Sequence, residues 1–208
     1  LGLQGDFGTV KAGKFDSPLK VAQKKIDLFN DLEGDIKNVI TRNDNRPSNI
    51  VGYESPNFSG FKGALAVVSS EEDGEDDGVS ASLTFEQSGL YVALAFDQNV
   101  EAQDYDVLRL VGQYNFSDFQ IGVLAERADD GVTDDIDAFF LSAKYKMGDW
   151  AFKAQGGTSD IKDEDGETFS LGADYKLAKN LKVFGYYTNN ESVETEEDYL
   201  GAGVELKF

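Results

Sequence analysis

The feature that most constrains the fold is a series of stretches, each about ten residues long, in which apolar and polar side chains alternate. They span approximately 79–86, 90–97, 108–116, 119–126, 139–147, 169–177 and 199–208. Alternation with a period of two indicates β-strands with one apolar and one polar face. Strands of soluble proteins average five or six residues, whereas about ten residues, tilted near 45°, cross the apolar layer of an outer membrane. The sequence therefore predicts an all-β, transmembrane, antiparallel up-and-down β-barrel.

The connections between these stretches support the same prediction, because short and long connections alternate. Short turns are predicted around residues 57–60, 87–89, 117–118, 148–149 and 178–180. Between them lie long acidic loops, with the sequences EEDGEDD, VEAQDYD, ADDGVTDDID, SDIKDEDGE and ESVETEED. Outer-membrane barrels have short turns at one rim and long loops at the other. A soluble barrel with an apolar core remains an alternative, since alternation alone does not say which face points outward.

The charge balance excludes several function classes. The chain carries 39 acidic and 19 basic residues, a formal net charge of −20, so we expect no nucleic-acid partner, because phosphate recognition requires a basic surface. Neither cysteine nor histidine is present, which removes disulfides, thiolate metal sites and the commonest general base. We therefore expect no enzyme activity, no catalytic residue, no metal site and no cofactor. The acidic loops are interpreted as solvated outer loops that divalent cations bridge to outer-membrane lipid and lipopolysaccharide.

The first 62 residues depart from the regular pattern. Strands predicted up to Asp6 and from Gly8 to Phe15 precede a long insert, residues 16–45, and a further strand follows it. Long ordered loops are usually functional, and we interpret this one as a constriction loop folded into the barrel lumen. Ser17 and Pro18 predict the start of a short helix between Pro18 and Leu32. An ordinary surface helix is the alternative.

The middle of the insert, residues 27–35, contains four acidic residues, and basic residues lie on either side of the insert and on other strands. Across a narrow aqueous gap they would create a transverse field that orients solutes and sets the ion preference. The candidate constriction residues are the acids Asp27, Asp31, Glu33 and Asp35 and the bases Lys14, Arg46, Lys62 and Arg109. Unrelated surface charges on a loop are the alternative explanation.

Three segments resemble the general bacterial porins of Gram-negative outer membranes: GDFGTVKAGKFDSP, NRPSNIVGYESPNFSGF and the terminal GAGVELKF. The resemblance implies a 16-stranded barrel that assembles as a homotrimer, with the insert as its constriction loop. Lys14 falls where these porins often carry an arginine of the basic constriction cluster, and Arg46 lies at the corresponding exit from the loop. Counted against the family's pattern, about 12–13 strands are present and the first three to four are missing. We expect these in the native protein, so residues 1–208 would form a single barrel domain, partial at its N-terminus.

The resemblance and the charge pattern together predict a water-filled channel for passive diffusion of small hydrophilic solutes and ions. The acidic excess predicts a mild cation preference. Phe208, which ends the last strand, resembles the signal that outer-membrane proteins present to their insertion machinery. A substrate-selective porin, and a plugged barrel with a structural or adhesive role, are the competing functions.

Overall fold

The computed structural model describes residues 1–24, 26–70, 74–132, 136–162 and 164–207. Within these residues the chain forms thirteen strands and two short helices. The strands are β1 (Gly2–Gly5), β2 (Gly8–Gly13), β3 (Ile50–Glu54), β4 (Phe61–Val68), β5 (Gly78–Gln87), β6 (Leu90–Gln98), β7 (Asp106–Phe116), β8 (Phe119–Asp129), β9 (Ile136–Met147), β10 (Trp150–Ser159), β11 (Gly166–Ala178), β12 (Leu181–Glu191) and β13 (Glu196–Leu206). The helices, both in the insert, are α1 (Pro18–Ala22) and α2 (Ile36–Val39). No helix in the described ranges is long and apolar enough to cross a membrane.

The strands are hydrogen-bonded in chain order, and each runs antiparallel to its neighbours in the sequence. This confirms the all-β, up-and-down arrangement. Two-residue turns join β5 to β6, β7 to β8, β9 to β10 and β11 to β12. In the first of these turns Ser88 and Gly89 have φ angles of 52° and 85°, and positive φ at both positions gives the tight hairpin whose twist matches that of the strands.

The predicted strand length holds for only part of the sheet. β5–β13 contain 9 to 13 residues, as the alternation predicts, whereas β1–β4 contain 4 to 8. The strand predicted from Gly8 to Phe15 ends two residues early, at Gly13, where φ is 135°. Residues other than glycine rarely adopt this backbone conformation, so Gly13 allows the chain to leave the sheet and enter the insert.

Contacts divide the chain into two compact units. The first comprises Leu1–Lys24, Arg42–Gly112 and Leu124–Asp137, and the second comprises Lys25–Thr41, Gln113–Val123 and Ala138–Phe208. In the first unit α1 packs on β5 and β6, and in the second α2 packs on β11. On the opposite face of the strands, large apolar side chains are about half exposed, including Leu83, Leu94, Leu141 and Leu171. Exposure of the apolar rather than the polar face is typical of strands that contact lipid.

The first helix of the insert begins where the sequence predicts. The Ser17 Oγ accepts a hydrogen bond from the Lys20 N–H at 3.1 Å, and Pro18 occupies the first turn. The helix ends at Ala22, well before Leu32, because Lys24 adopts a left-handed conformation with φ of 55°, which closes the helix. Leu19 and Ala22 are buried. The sequence did not predict α2, whose four residues are too few to show a helical period.

Candidate functional site

In the first unit, a buried arginine of the sheet holds the insert. Arg109, on β7, is fully buried and forms an ion pair with Glu126 on β8. Its guanidinium also donates to the carbonyl oxygens of Leu19 and Asn43, at 3.4 and 3.3 Å, and to the Gln23 side chain at 3.2 Å. Charge-assisted hydrogen bonds in a low-dielectric interior are strong and directional. Arg109 therefore fixes two separate parts of the insert on the strands of the sheet, which are called the wall from here on.

Strands β5 and β6 add further contacts to α1. The Ser80 Oγ accepts from the Leu19 N–H at 3.2 Å, and the Tyr91 hydroxyl donates to the Ala22 carbonyl at 2.8 Å. Asp97, directly opposite Ser80 in the strand pair, is 1% exposed. Neither Asp97 nor Tyr91 is among the predicted site residues, although both lie on the polar face of β6.

The other three predicted basic residues are accessible. Lys14 and Lys62 are exposed. Arg46 is exposed too, but its guanidinium donates two hydrogen bonds to the Asp16 carboxylate, at 2.7 and 3.2 Å. The Arg46 guanidinium holds the pKa of Asp16 below its ordinary value. The positive charge of Arg46 is thus partly balanced within the insert itself.

In the second unit, Asp27 organises the middle of the insert. Its Oδ1 accepts from the Phe29 N–H at 3.0 Å and from the Gln155 side chain at 3.1 Å, and its Oδ2 accepts from the Ile36 N–H at 3.1 Å. Burial, and secondarily the charge of Asp35, raises the pKa of Asp27 to about 7. Its carboxyl group closes a loop of the insert rather than facing solvent.

Asp35 also has a structural position, as the N-cap of α2. Its carboxylate accepts from the N–H groups of Asp31 and Lys37, at 2.8 and 3.0 Å, and pairs with the Lys37 ammonium at 3.0 Å. Burial favours the neutral form, but these donors and the ammonium outweigh it, so the pKa of Asp35 lies below its ordinary value. Asp31, with an 86% exposed side chain, and Glu33 are the solvent-facing acids of the four.

Gln155, on β10, is the main wall contact of this half of the insert, and sequence reasoning missed it. It is 3% exposed. Besides its bond to Asp27, its Nε2 donates to the Gly34 carbonyl at 2.7 Å and its Oε1 accepts from the Leu28 N–H at 2.7 Å. The available sequence signal is that Gln155 alternates with Trp150, Phe152 and Ala154, which places an amide that can both donate and accept on the polar face of the strand.

Three further wall side chains donate hydrogen bonds to insert carbonyls in the same unit. They are Ser159 to Ile40 at 2.6 Å, Lys153 to Leu28 at 3.2 Å and Asn190 to Glu33 at 2.9 Å. Each satisfies a backbone group that the irregular insert cannot satisfy by itself.

Apolar side chains of the insert lie directly on glycines of the wall. A Cβ added at Gly122 would lie 2.8 Å from the Ile26 Cβ, and one added at Gly172 would lie 2.8 Å from the Phe29 ring. A Cβ at Gly157 would lie 3.0 Å from Ile40. Such distances are too short for carbon atoms. Because glycine has no side chain, the insert can lie close against the strands at these positions.

The chain matches the Gram-negative porin family over residues 1–195. It belongs to this family. The membership, with relatives named as major outer membrane proteins, places this porin in the outer membrane of a Gram-negative bacterium.

Individual relatives agree with the assignment. Major outer membrane protein P.IB of Neisseria gonorrhoeae is 25% identical over 154 residues, covering 62% of this chain and 44% of its own. The chain thus spans less than half the length of this curated relative. Among solved structures, the anion-selective porin from Comamonas acidovorans has a TM-score of 0.76 and 22% identity, covering 99% of this chain and 74% of its own. Salmonella typhi OmpF in complex with daunomycin has a TM-score of 0.78 and 13% identity, with coverages of 96% and 74%. At these identities the solved structures establish a shared fold.

The predicted site residues of this porin divide between the two units. The four bases lie in the first unit and the four acids in the second. Phe208, the predicted assembly signal, lies outside the described residues. Across the described part of the chain, no group of three or more acidic, histidine or cysteine side chains is arranged to hold a metal ion.

Proposed function

We propose that this porin forms a closed, 16-stranded barrel around a water-filled channel for passive diffusion of small hydrophilic solutes and ions. Residues 1–208 belong to one barrel domain, and the insert, residues 16–45, folds inside it as the constriction. One observation carries the proposal. The insert is hydrogen-bonded to the polar face of the strands, while the opposite face exposes leucines and aromatic side chains.

The exposed apolar face also supports the proposed partners. Lipid covers part of this face, and neighbouring subunits of a homotrimer cover the rest. Both environments suit it, because its apolar side chains need no hydrogen-bond partner. Lipopolysaccharide binds at the acidic outer loops through divalent cations. Phe208 is the proposed contact for the barrel-insertion machinery. Chemical cross-linking of the native protein in its membrane tests the trimer directly.

Conductance measurement tests the channel itself. The purified native protein is inserted into planar bilayers, where the proposal requires discrete, ohmic conductance steps. A plugged structural barrel would give no steps, and a substrate-selective porin would show steps that its substrate blocks at low concentration.

The proposed ion preference is mildly cationic. It rests on Asp31 and Glu33, the exposed acids of the insert, and on the acidic outer loops. The Lys37 ammonium, 3.8 Å from the Asp31 carboxylate, balances part of that charge. Salt screens the charge of the loops beyond a Debye length of about 8 Å at physiological ionic strength. Asp27 and Asp35 contribute less, because both carboxylates are occupied by hydrogen bonds within the insert.

The zero-current potential in a salt gradient tests this assignment. Asp31→Asn combined with Glu33→Gln is expected to move the potential toward anions, and the shift is expected to shrink as salt rises. Neutralising two outer-loop acids instead, Glu194→Gln with Asp165→Asn, is the charge-matched control. If the control moves the potential and the insert variant leaves it in place, the insert is not the selectivity element.

A further inference from the structure

Three lysines occupy equivalent positions beside successive short turns of the second unit. The N–H of Lys146 donates to the Asp118 carbonyl, that of Lys176 to the Asp149 carbonyl and that of Lys207 to the Asn180 carbonyl, each at 2.9 Å. In every case the acceptor is the second residue of the neighbouring two-residue turn. The lysines thus recur at one level of the sheet, at the short-turn ends of the strands.

These lysines share the face of the sheet that carries the insert. Lys176 has the same parity along β11 as Gly172, which Phe29 of the insert contacts. Lys146 has the parity of the buried Ser142 on β9, and Lys207 has that of Glu205, which pairs with Lys182 at 3.1 Å. All three are exposed. Their ammonium groups therefore face the proposed channel rather than the apolar surface.

A shallow cavity of about 370 Å³ lies among them. Although the chain has a net charge of −20, the lining of this cavity is net positive, with five lysines and three acids. The lysines are Lys146, Lys176, Lys179, Lys182 and Lys207, and the acids are Asp149, Asp174 and Glu205.

Two of these acids each form ion pairs with two lysines. Asp174 lies 2.8 Å from the Lys153 ammonium and 3.0 Å from that of Lys182, and Glu205 lies 3.1 Å from both Lys182 and Lys207. Lys176 stands directly opposite Lys182 in the β11–β12 register. Like charges in directly opposed positions repel one another. Asp174 and Glu205 already balance Lys182, whereas Lys176 forms no ion pair within 4 Å in the part of the chain that the structure describes. A mobile anion would therefore compensate chiefly the charge of Lys176.

We propose that this lysine rim, defined as Lys146, Lys176, Lys179, Lys182 and Lys207, binds small multivalent oxyanions at the short-turn mouth of the channel. The proposal rests on the channel function proposed above. Neighbouring strands are about 4.8 Å apart, so lysines on alternate strands are about 10 Å apart. That spacing equals the Debye length of about 10 Å at 0.1 M salt, so the lysines act on one anion together only in dilute salt. In outer-membrane barrels the short turns face the periplasm, so the rim would concentrate anions at the periplasmic mouth.

Inorganic phosphate at mildly alkaline pH, where the dianion prevails, is the probe. The native protein is inserted into bilayers of zwitterionic lipid, which exclude anionic headgroups as an alternative ligand. Phosphate is added to one side at constant ionic strength, and the zero-current potential is recorded. A Ser88→Cys variant labelled with an impermeant thiol reagent, compared with the unaltered protein, reports which side the short turns face; residues 1–208 contain no other cysteine.

Phosphate is expected to shift the potential from the short-turn side only. Lys176→Gln should raise the half-effective phosphate concentration about fivefold in dilute salt, which corresponds to about 1 kcal/mol for one lost charge contact. Lys162→Gln is the matched control, since it removes one lysine from the loop at the opposite end of the same strand, and it should leave that concentration unchanged.

Equal phosphate effects from both sides, or equal shifts in the two variants, would overturn the proposal. If Lys176→Gln fails to assemble, the sidedness measured with the unaltered protein still decides the matter. Absence of conductance steps in the unaltered protein would refute the channel function itself, and is thereby distinguishable from failure of the lysine rim alone.

Discussion

Replacement of Gln155 by leucine should release the middle of the insert while leaving the strands paired. The glutamine side chain makes three hydrogen bonds to the insert, with Asp27, Leu28 and Gly34. Leucine has a similar size but offers neither donor nor acceptor. Since Gln155 is nearly fully buried, no water replaces the lost partners while the insert stays docked.

The expected magnitude follows from those three bonds. A buried polar group left without its partner costs about 1–3 kcal/mol. Undocking lets the three groups reach water, so the free energy of docking should fall by about 3 kcal/mol, near the lower end of their sum. Every 1.4 kcal/mol is a factor of ten, so the undocked population should rise about a hundredfold. The strand ladders do not involve this side chain, so the thermal stability of the sheet should change little.

Native-state hydrogen exchange measures this change residue by residue. The amides of Leu28 and Ile36 should lose about two orders of magnitude in protection, and the channel should show larger current noise. Asn190→Ala is the control, because it removes one exposed hydrogen bond to the insert, at the Glu33 carbonyl, together with a bond from the Thr168 hydroxyl that joins two strands. The insert itself loses one exposed bond, so docking should weaken by less than about 1 kcal/mol. Protection that changes less than tenfold at Leu28 in the Gln155→Leu variant would refute the assignment of Gln155 as the anchor.

Four further outcomes are expected. Arg109→Met should destabilise by about 3–5 kcal/mol, because Glu126 is left buried without its charged partner. Simultaneous replacement of Glu126 by leucine should recover only part of the loss in denaturant titrations, since the carbonyl oxygens of Leu19 and Asn43 still lack their donor. Burial raises the pKa of Asp27 from 3.8 to about 7, so Asp27 binds a proton more tightly when the insert is docked than when it is released. Docking should therefore weaken as pH rises from about 4 to about 7. Asp27→Asn should abolish this pH dependence, as measured by hydrogen exchange. Leu141→Arg should cost about 2–4 kcal/mol if residue 141 lies near the bilayer midplane, with normal assembly arguing against the lipid-facing orientation. Deletion of Phe208 should lower insertion in cells more than it lowers the stability of protein already folded, whereas equal losses would indicate a residue of the rim alone.

The pairing of successive strands in this porin could be predicted because its determinants are local. Strand alternation sets which side chains share a face, and a two-residue turn sets the register of each hairpin. Leu83 and Leu94, for example, are directly opposite one another in β5 and β6. The same reasoning could have paired Arg109 with Glu126, since a two-residue turn at 117–118 sets these positions opposite each other.

The insert resisted prediction because its contacts are distant in sequence. Asp27 and Gln155 are 128 residues apart, and no periodic pattern connects them. The four acids of residues 27–35 looked alike in sequence, but burial and backbone donors separate Asp27 and Asp35 from Asp31 and Glu33. Their roles depend on how the chain folds back on itself, which composition and spacing do not encode.

The glycines beneath the insert have a consequence for how the width of the proposed channel evolves. Ile26, Phe29 and Ile40 lie against wall glycines without intervening side-chain atoms, so the thickness of the wall at these points is the thickness of its backbone. One methyl group added at Gly122 would displace the insert toward the axis of the proposed channel and alter no charge, since the other close atom, the Ser142 Oγ, is the end of a side chain that can rotate. If the insert constricts the channel as proposed, permeability to bulky solutes can therefore change through substitutions on the strands, while the charged groups of the insert remain unchanged.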